Sequence, residues 1–111
     1  MKSADIDLEW EFLVGRLTKT IGKKPTLDAI LFLIGVQELG KGKKGFSKEE
    51  KQDLMHLGVC KVLSLAGFYE FQGLDKDGWP HWEATKNLPK FDLNEQERLL
   101  KMYVIEYFSE L

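Results

Sequence analysis

Between Pro25 and Gly40 the chain reads TLDAILFLIGVQEL, and its apolar residues Leu27, Ala29, Ile30, Leu31, Phe32, Leu33, Ile34, Val36 and Leu39 would cover nearly the whole circumference of a helix. An element that is apolar all round has to be enclosed on most sides. The rest of the chain must therefore supply its walls. Thr26 suits the N-cap, Asp28 places an acid in the first turn, and Gly40 suits the residue after the last turn. The run Ile30 to Ile34 also fits a buried parallel strand. The length of the segment and the helix formers Gln37, Glu38 and Leu39 favour a helix.

The same stretch contains a near match to a phosphate-binding loop, with Gly35, Gly40 and Lys41 in G-x-x-x-x-G-K spacing. Such a loop needs Ser or Thr next, to hold magnesium, and Gly42 stands there. It also needs a strand before the first glycine and a helix starting at the lysine. Helix formers separate Gly35 from Gly40, and Lys43, Lys44 and Gly45 occupy the place of the next helix. The segment is expected to be a helix end followed by a basic turn, with no nucleotide bound and no cofactor.

Walls for the apolar helix are easy to find. Ile6, Trp10, Leu13, Leu17 and Ile21 recur at three- and four-residue steps, one stripe of a helix over Asp5 to Ile21. Gly22 to Pro25 interrupts it, because proline disfavours helical geometry in the residue before it. Ser47 with Glu50 forms a capping box that opens a third helix, expected to run to Ala66 and close at Gly67. A last helix starts near Asp92 or Asn94 and carries Leu99, Leu100, Tyr103, Val104, Tyr107 and Phe108. Between the third and fourth helices, FYEFQGLDKDGWPHWEA at 68–84 places aromatics on either side of Asp75-Lys76-Asp77-Gly78, a turn signal. Pro80 cannot donate to a ladder, so its strand should be an edge. The expected fold is mainly α: one domain over residues 1–111, four helices, and a β-hairpin at about 68–84.

A chain of 111 residues, 43% hydrophobic and 31% charged, suffices for one modest core. The longest uncharged stretch, Ala29 to Gln37, is far short of the roughly 20 residues that span a bilayer. Residues 1–11 alternate acids with apolar residues and do not resemble a secretory leader. The single cysteine, Cys60, excludes an internal disulfide and fits a reducing compartment. A cytoplasmic protein without membrane association is expected. Counted along the chain, 1–39 carry five basic against six acidic residues, 40–67 six against three, and 68–111 five against nine. A basic middle beside an acidic tail suits an anionic contact, or a protomer whose middle pairs with a neighbour's tail.

Several residue groups carry candidate chemistry. Asp53, His56 and Cys60, with Ser64, share one face of the third helix, and His and Cys one turn apart can ligate zinc with Asp53 in support. A lone buried Cys more often acts as a small hydrophobe, so no metal is expected. Asp75-x-Asp77-Gly78 matches part of a calcium loop, but Gly73 and Ala84 fall where its end ligands should be. A turn whose aspartates bind nearby amides is the better reading. No elbow around a nucleophilic serine and no paired catalytic carboxylates occur, so no enzyme and no catalytic residue is expected. Some of the aromatic cluster Phe68, Tyr69, Phe71, Trp79 and Trp82 should fold onto the helices to finish a small core, but a small domain has limited interior for all of it. In a regular hairpin Trp79 and Trp82 fall on opposite faces, so at least one is expected to meet solvent or a partner.

The stretches LGKG at 39–42, FSKEEKQDLMH at 46–56 and YEFQGLDKDGWPHWE at 69–83 together resemble a family of short uncharacterised bacterial proteins of Bacteroidetes type. The resemblance covers the middle half of the chain. It implies a compact, mainly helical cytoplasmic domain and carries no catalytic residue to transfer. The function expected is a non-enzymatic interaction or adaptor module, binding a protein partner or itself, with Lys41, Lys43, Lys44, Tyr69, Phe71, Trp79 and Trp82 as contact candidates. The alternative is a winged-helix-like nucleic-acid binder, in which the third helix would enter the major groove. Its acidic opening, Glu49, Glu50 and Asp53, and its acidic wing tip would repel phosphates.

Overall fold

The computed structural model describes residues 3–41, 45–87 and 89–110. In chain order the elements are α1 (Ser3–Ile21), α2 (Leu27–Leu39), α3 (Lys48–Ser64), β1 (Tyr69–Leu74), β2 (Pro80–Ala84) and α4 (Leu93–Ser109). The apolar segment is a helix, and its ends follow from local chemistry. The Thr26 side chain accepts from the Ala29 amide, and Gly40 takes the left-handed conformation (φ 67°) while its N–H bonds the Val36 carbonyl. Only glycine adopts that geometry without strain. Helices α3 and α4 both open on complete capping boxes, Ser47 with Glu50 and Asp92 with Glu95. Each cap is worth about 1 kcal/mol. Helix α3 ends at Ser64, two residues before the expected stop, and Ala66 and Gly67 continue in turn geometry.

Helix α2 is enclosed from two directions. On one side Ile30, Leu31 and Ile34 join Trp10, Leu13 and Val14 of α1, Val62 and Leu63 of α3, and Leu100, Val104 and Tyr107 of α4 in the main core. On the other, Leu39 joins Leu54 and Leu57 of α3 in a second cluster, with Phe32, Val36 and Phe46 packed against it. The all-round apolar pattern therefore serves two clusters. Of the larger apolar residues of that run, Leu33 alone is well exposed.

Helices α2 and α3 touch through their backbones. A Cβ built on Gly35 would lie 1.9 Å from the Leu54 carbonyl oxygen, and one built on Gly58 would lie 2.1 Å from that of Leu31. Gly35 and Leu31 are one turn apart on α2, as are Leu54 and Gly58 on α3. The two contacts thus run in opposite sequence directions, which makes α2 and α3 an antiparallel αα-hairpin. Glu38, near the end of α2, ties three helices together. Tyr107 Oη donates to its Oε2 at 2.9 Å, and Lys61 Nζ lies 3.7 Å from Oε1. Burial first, and then the Glu38 carboxylate, push the Tyr107 phenol well above its ordinary range.

The hairpin is a two-stranded antiparallel sheet with Phe71 opposite Trp82 and Leu74 opposite Pro80, and an irregularity between Phe71 and Gly73. Pro80 stands on an edge, as its missing N–H requires. The expectation for the tryptophans is corrected here. Trp79 and Trp82 both pack on the Leu39, Leu54 and Leu57 cluster, and both are half-buried. Strand β2 begins at Pro80, so Trp79 belongs to the turn and escapes the strand alternation that would have sent it to the opposite face.

Candidate functional site

The Asp75 carboxylate organises the hairpin turn. Its Oδ1 accepts from the amides of Asp77 (2.8 Å) and Trp79 (3.0 Å), and its Oδ2 meets His81 Nε2 at 2.9 Å. These bonds, that to His81 foremost, hold the Asp75 carboxyl below its ordinary range. The turn is thus built by aspartate chemistry, with no calcium-loop geometry needed. Lys41, a contact candidate, donates to the Asp77 carbonyl 36 residues away and straps the end of α2 to the hairpin tip. Lys43 and Lys44 lie outside the described residues.

Helix α3 forms the facing wall. Its four-residue periodicity puts Asp53, His56 and Cys60 on one side, as the spacing predicts. The hairpin stands over that side, and between them lies a cleft of about 480 Å³. Asp53, His56, Leu57 and Cys60 line it from α3, and Asp75, Trp79, Pro80, His81 and Trp82 line it from the hairpin. Both histidines and the only cysteine of the chain therefore share one cleft. Phe71 leans on the Trp82 ring at 5.3 Å between centroids and is 51% exposed. Tyr69, by contrast, packs half-buried on the main core, where burial raises its phenol above the ordinary value. The Trp82 Nε1 atom is closed off from solvent and has no hydrogen-bond acceptor among the described residues.

The candidate metal ligands Asp53, His56 and Cys60 all line the cleft. Among the described residues no group of three or more His, Cys, Asp or Glu is disposed to hold a metal ion. Cys60 Sγ lies 3.5 Å from His56 Nε2, a thiol–imidazole contact. Burial pushes the Cys60 thiol from 9.0 up to about 11, and its backbone hydrogen bond offsets this only in part. An activated nucleophile requires the reverse, a thiol made acidic by cations or an exposed helix N-terminus. In the folded protein Cys60 should react with a disulfide reagent near pH 8 far more slowly than in urea, as timed labelling would show. Labelling at the unfolded rate would contradict this burial. Because the folded thiol is the weaker acid, its contribution to stability is complete below pH 9 and is lost as the pH rises to about 11.

Sequence reasoning identified the helix face and the aromatic hairpin separately. It did not single out His81 or Leu57, and it weighed Asp75 as a turn residue and as part of a calcium loop, never as part of a cleft. His81, three residues from the DKDG turn, carried a usable signal, since a histidine there can reach a turn aspartate.

Fold and site together define a helical domain whose αα-hairpin carries an aromatic β-hairpin on one side, with a cleft between them. No protein-family model, curated protein or solved structure matches the chain. No helix among the described residues is long and apolar enough to cross a membrane.

Proposed function

We propose that the protein is a non-enzymatic interaction module that seats a segment of a partner protein in the cleft between α3 and the hairpin. The observation that carries this reading is the cleft itself. Two tryptophans border a space of about 480 Å³, within the range of ligand sites. Tryptophans at the edge of a recess are typical anchors of protein interfaces. Phe71, half-exposed against Trp82, extends the apolar rim.

The nucleic-acid alternative is disfavoured by the arrangement of α2 and α3. A helix-turn-helix crosses its helices at roughly 90–120°, whereas Gly35 and Gly58 hold these two side by side along successive turns. The first turn of α3 carries Glu49 and Glu50, and the hairpin tip carries Asp75 and Asp77.

Selection of a displayed random-peptide library on the immobilised protein tests the reading. Enriched peptides should shift the NMR signals of Asp53, His56 and both cleft indoles, and should bind Phe71→Ser roughly tenfold more weakly. Failure to enrich any sequence would overturn the proposal. Peptides that map to Leu8 and Phe12 would overturn it equally, since these stand one turn apart on α1, 60% and 68% exposed. A concentration-dependent mass abolished by Phe12→Glu would then assign that α1 face to self-association.

A further inference from the structure

We infer that the cleft between α3 and the hairpin takes a basic side chain of a partner peptide, the ammonium of a lysine or the guanidinium of an arginine. The inference rests on the interaction reading and names the chemistry of the occupant. It starts from the distribution of charge. Two carboxylates line the cleft, and they differ in what they have left to offer. Both oxygens of Asp75 are engaged, by two backbone amides and by His81. Asp53, on the opposite wall, has no cation and no hydrogen-bond donor among the described residues, and it is exposed. Among the described residues no lysine or arginine lines the space. Lys41, close to Gly78 at the hairpin tip, is bound to the Asp77 carbonyl and is not part of the lining.

Each class of occupant meets this cleft differently. An anion would be repelled by Asp53 and Asp75. A neutral apolar group would strip water from Asp53 and return nothing. A cation finds an unpaired carboxylate, and the indoles of Trp79 and Trp82 border the same space. Indoles are the most favourable aromatic neighbours of a cation.

A peptide suits the cleft better than a free amine because Leu57, Pro80 and the indoles of Trp79 and Trp82 line the same space with apolar surface, which the stem of a basic side chain and its flanking residues would cover.

The test is an NMR titration of the isotope-labelled protein with four probes: N-acetyl-arginine methylamide, N-acetyl-lysine methylamide, N-acetyl-norleucine methylamide and propylamine. The two basic capped residues should shift the Trp82 indole N–H and the Asp53 amide, binding roughly tenfold more tightly than norleucine. Asp53→Asn, a surface change that leaves the spectrum otherwise intact, should erase that preference. Added salt should weaken binding, because Asp53 is exposed. Equal binding of norleucine, or full preference in Asp53→Asn, overturns the basic side chain. Propylamine binding as tightly as the capped residues overturns the peptide as its source. If no probe moves the cleft signals while library-selected peptides still do, the cation falls and the interaction module stands. If neither moves them, both fall.

Discussion

Replacing Gly58 with alanine will destabilise the protein by roughly 2 kcal/mol or more, measured as a lowered urea midpoint. In most helix interiors the same change stabilises, by up to about 1 kcal/mol, because alanine is the better helix former. Here the new methyl would lie 2.1 Å from the Leu31 carbonyl oxygen and 2.9 Å from its carbon. Those atoms are backbone, so no rotamer change clears them. Helix α2 would have to move away, loosening Ile30, Leu31 and Ile34, each of which is nearly or fully buried in the main core. Overpacking of this kind costs about 1–3 kcal/mol, sometimes more, against a total stability of about 5–15 kcal/mol for a domain. Gly15→Ala supplies the control. Nothing lies within 4 Å of a Cβ at Gly15 in α1, and that variant should gain stability. Equal effects at the two positions would refute the close approach of α2 and α3.

Leu54→Ala will cost about 2–5 kcal/mol and will also disturb the cleft. Leu54 is fully buried in the second cluster, against which both tryptophans pack. Truncation leaves a cavity there, because the backbone of Leu54 is fixed against Gly35 and cannot settle into the space. Native-state tryptophan fluorescence and near-ultraviolet circular dichroism should change together with the denaturation midpoint. A lost midpoint with unaltered tryptophan signals would mean that the hairpin does not rest on this cluster.

Much of the architecture was legible because it rests on contacts within a few residues. Ser47 with Glu50, Thr26, Gly40 and the Asp75 turn each act over four residues or fewer, and each does in the structure what its chemistry predicts. The periodicity that placed Asp53, His56 and Cys60 on one face is equally local. Trp79 was misplaced because its direction depends on where β2 begins, and the hairpin sets that through the bonds from Asp75 and the packing on Leu39, Leu54 and Leu57. Gly35 illustrates the limit best. In the sequence it attracted notice as the first glycine of a failed phosphate loop. In the fold it is the place where the backbone of α3 passes, and nothing within α2 announces that role.

By itself, then, the amino-acid sequence determined the four helices, their caps, the hairpin turn and the enclosure of α2, since these depend on propensity, capping and the period of apolar residues. The tertiary structure decided what those elements make between them. Close passage at Gly35 and Gly58, the seating of both tryptophans on one cluster, and the union of α3 with the hairpin around Asp53 and Trp82 join residues far apart in the chain. Their cause is mutual shape and the burial of shared surface, which no local pattern encodes.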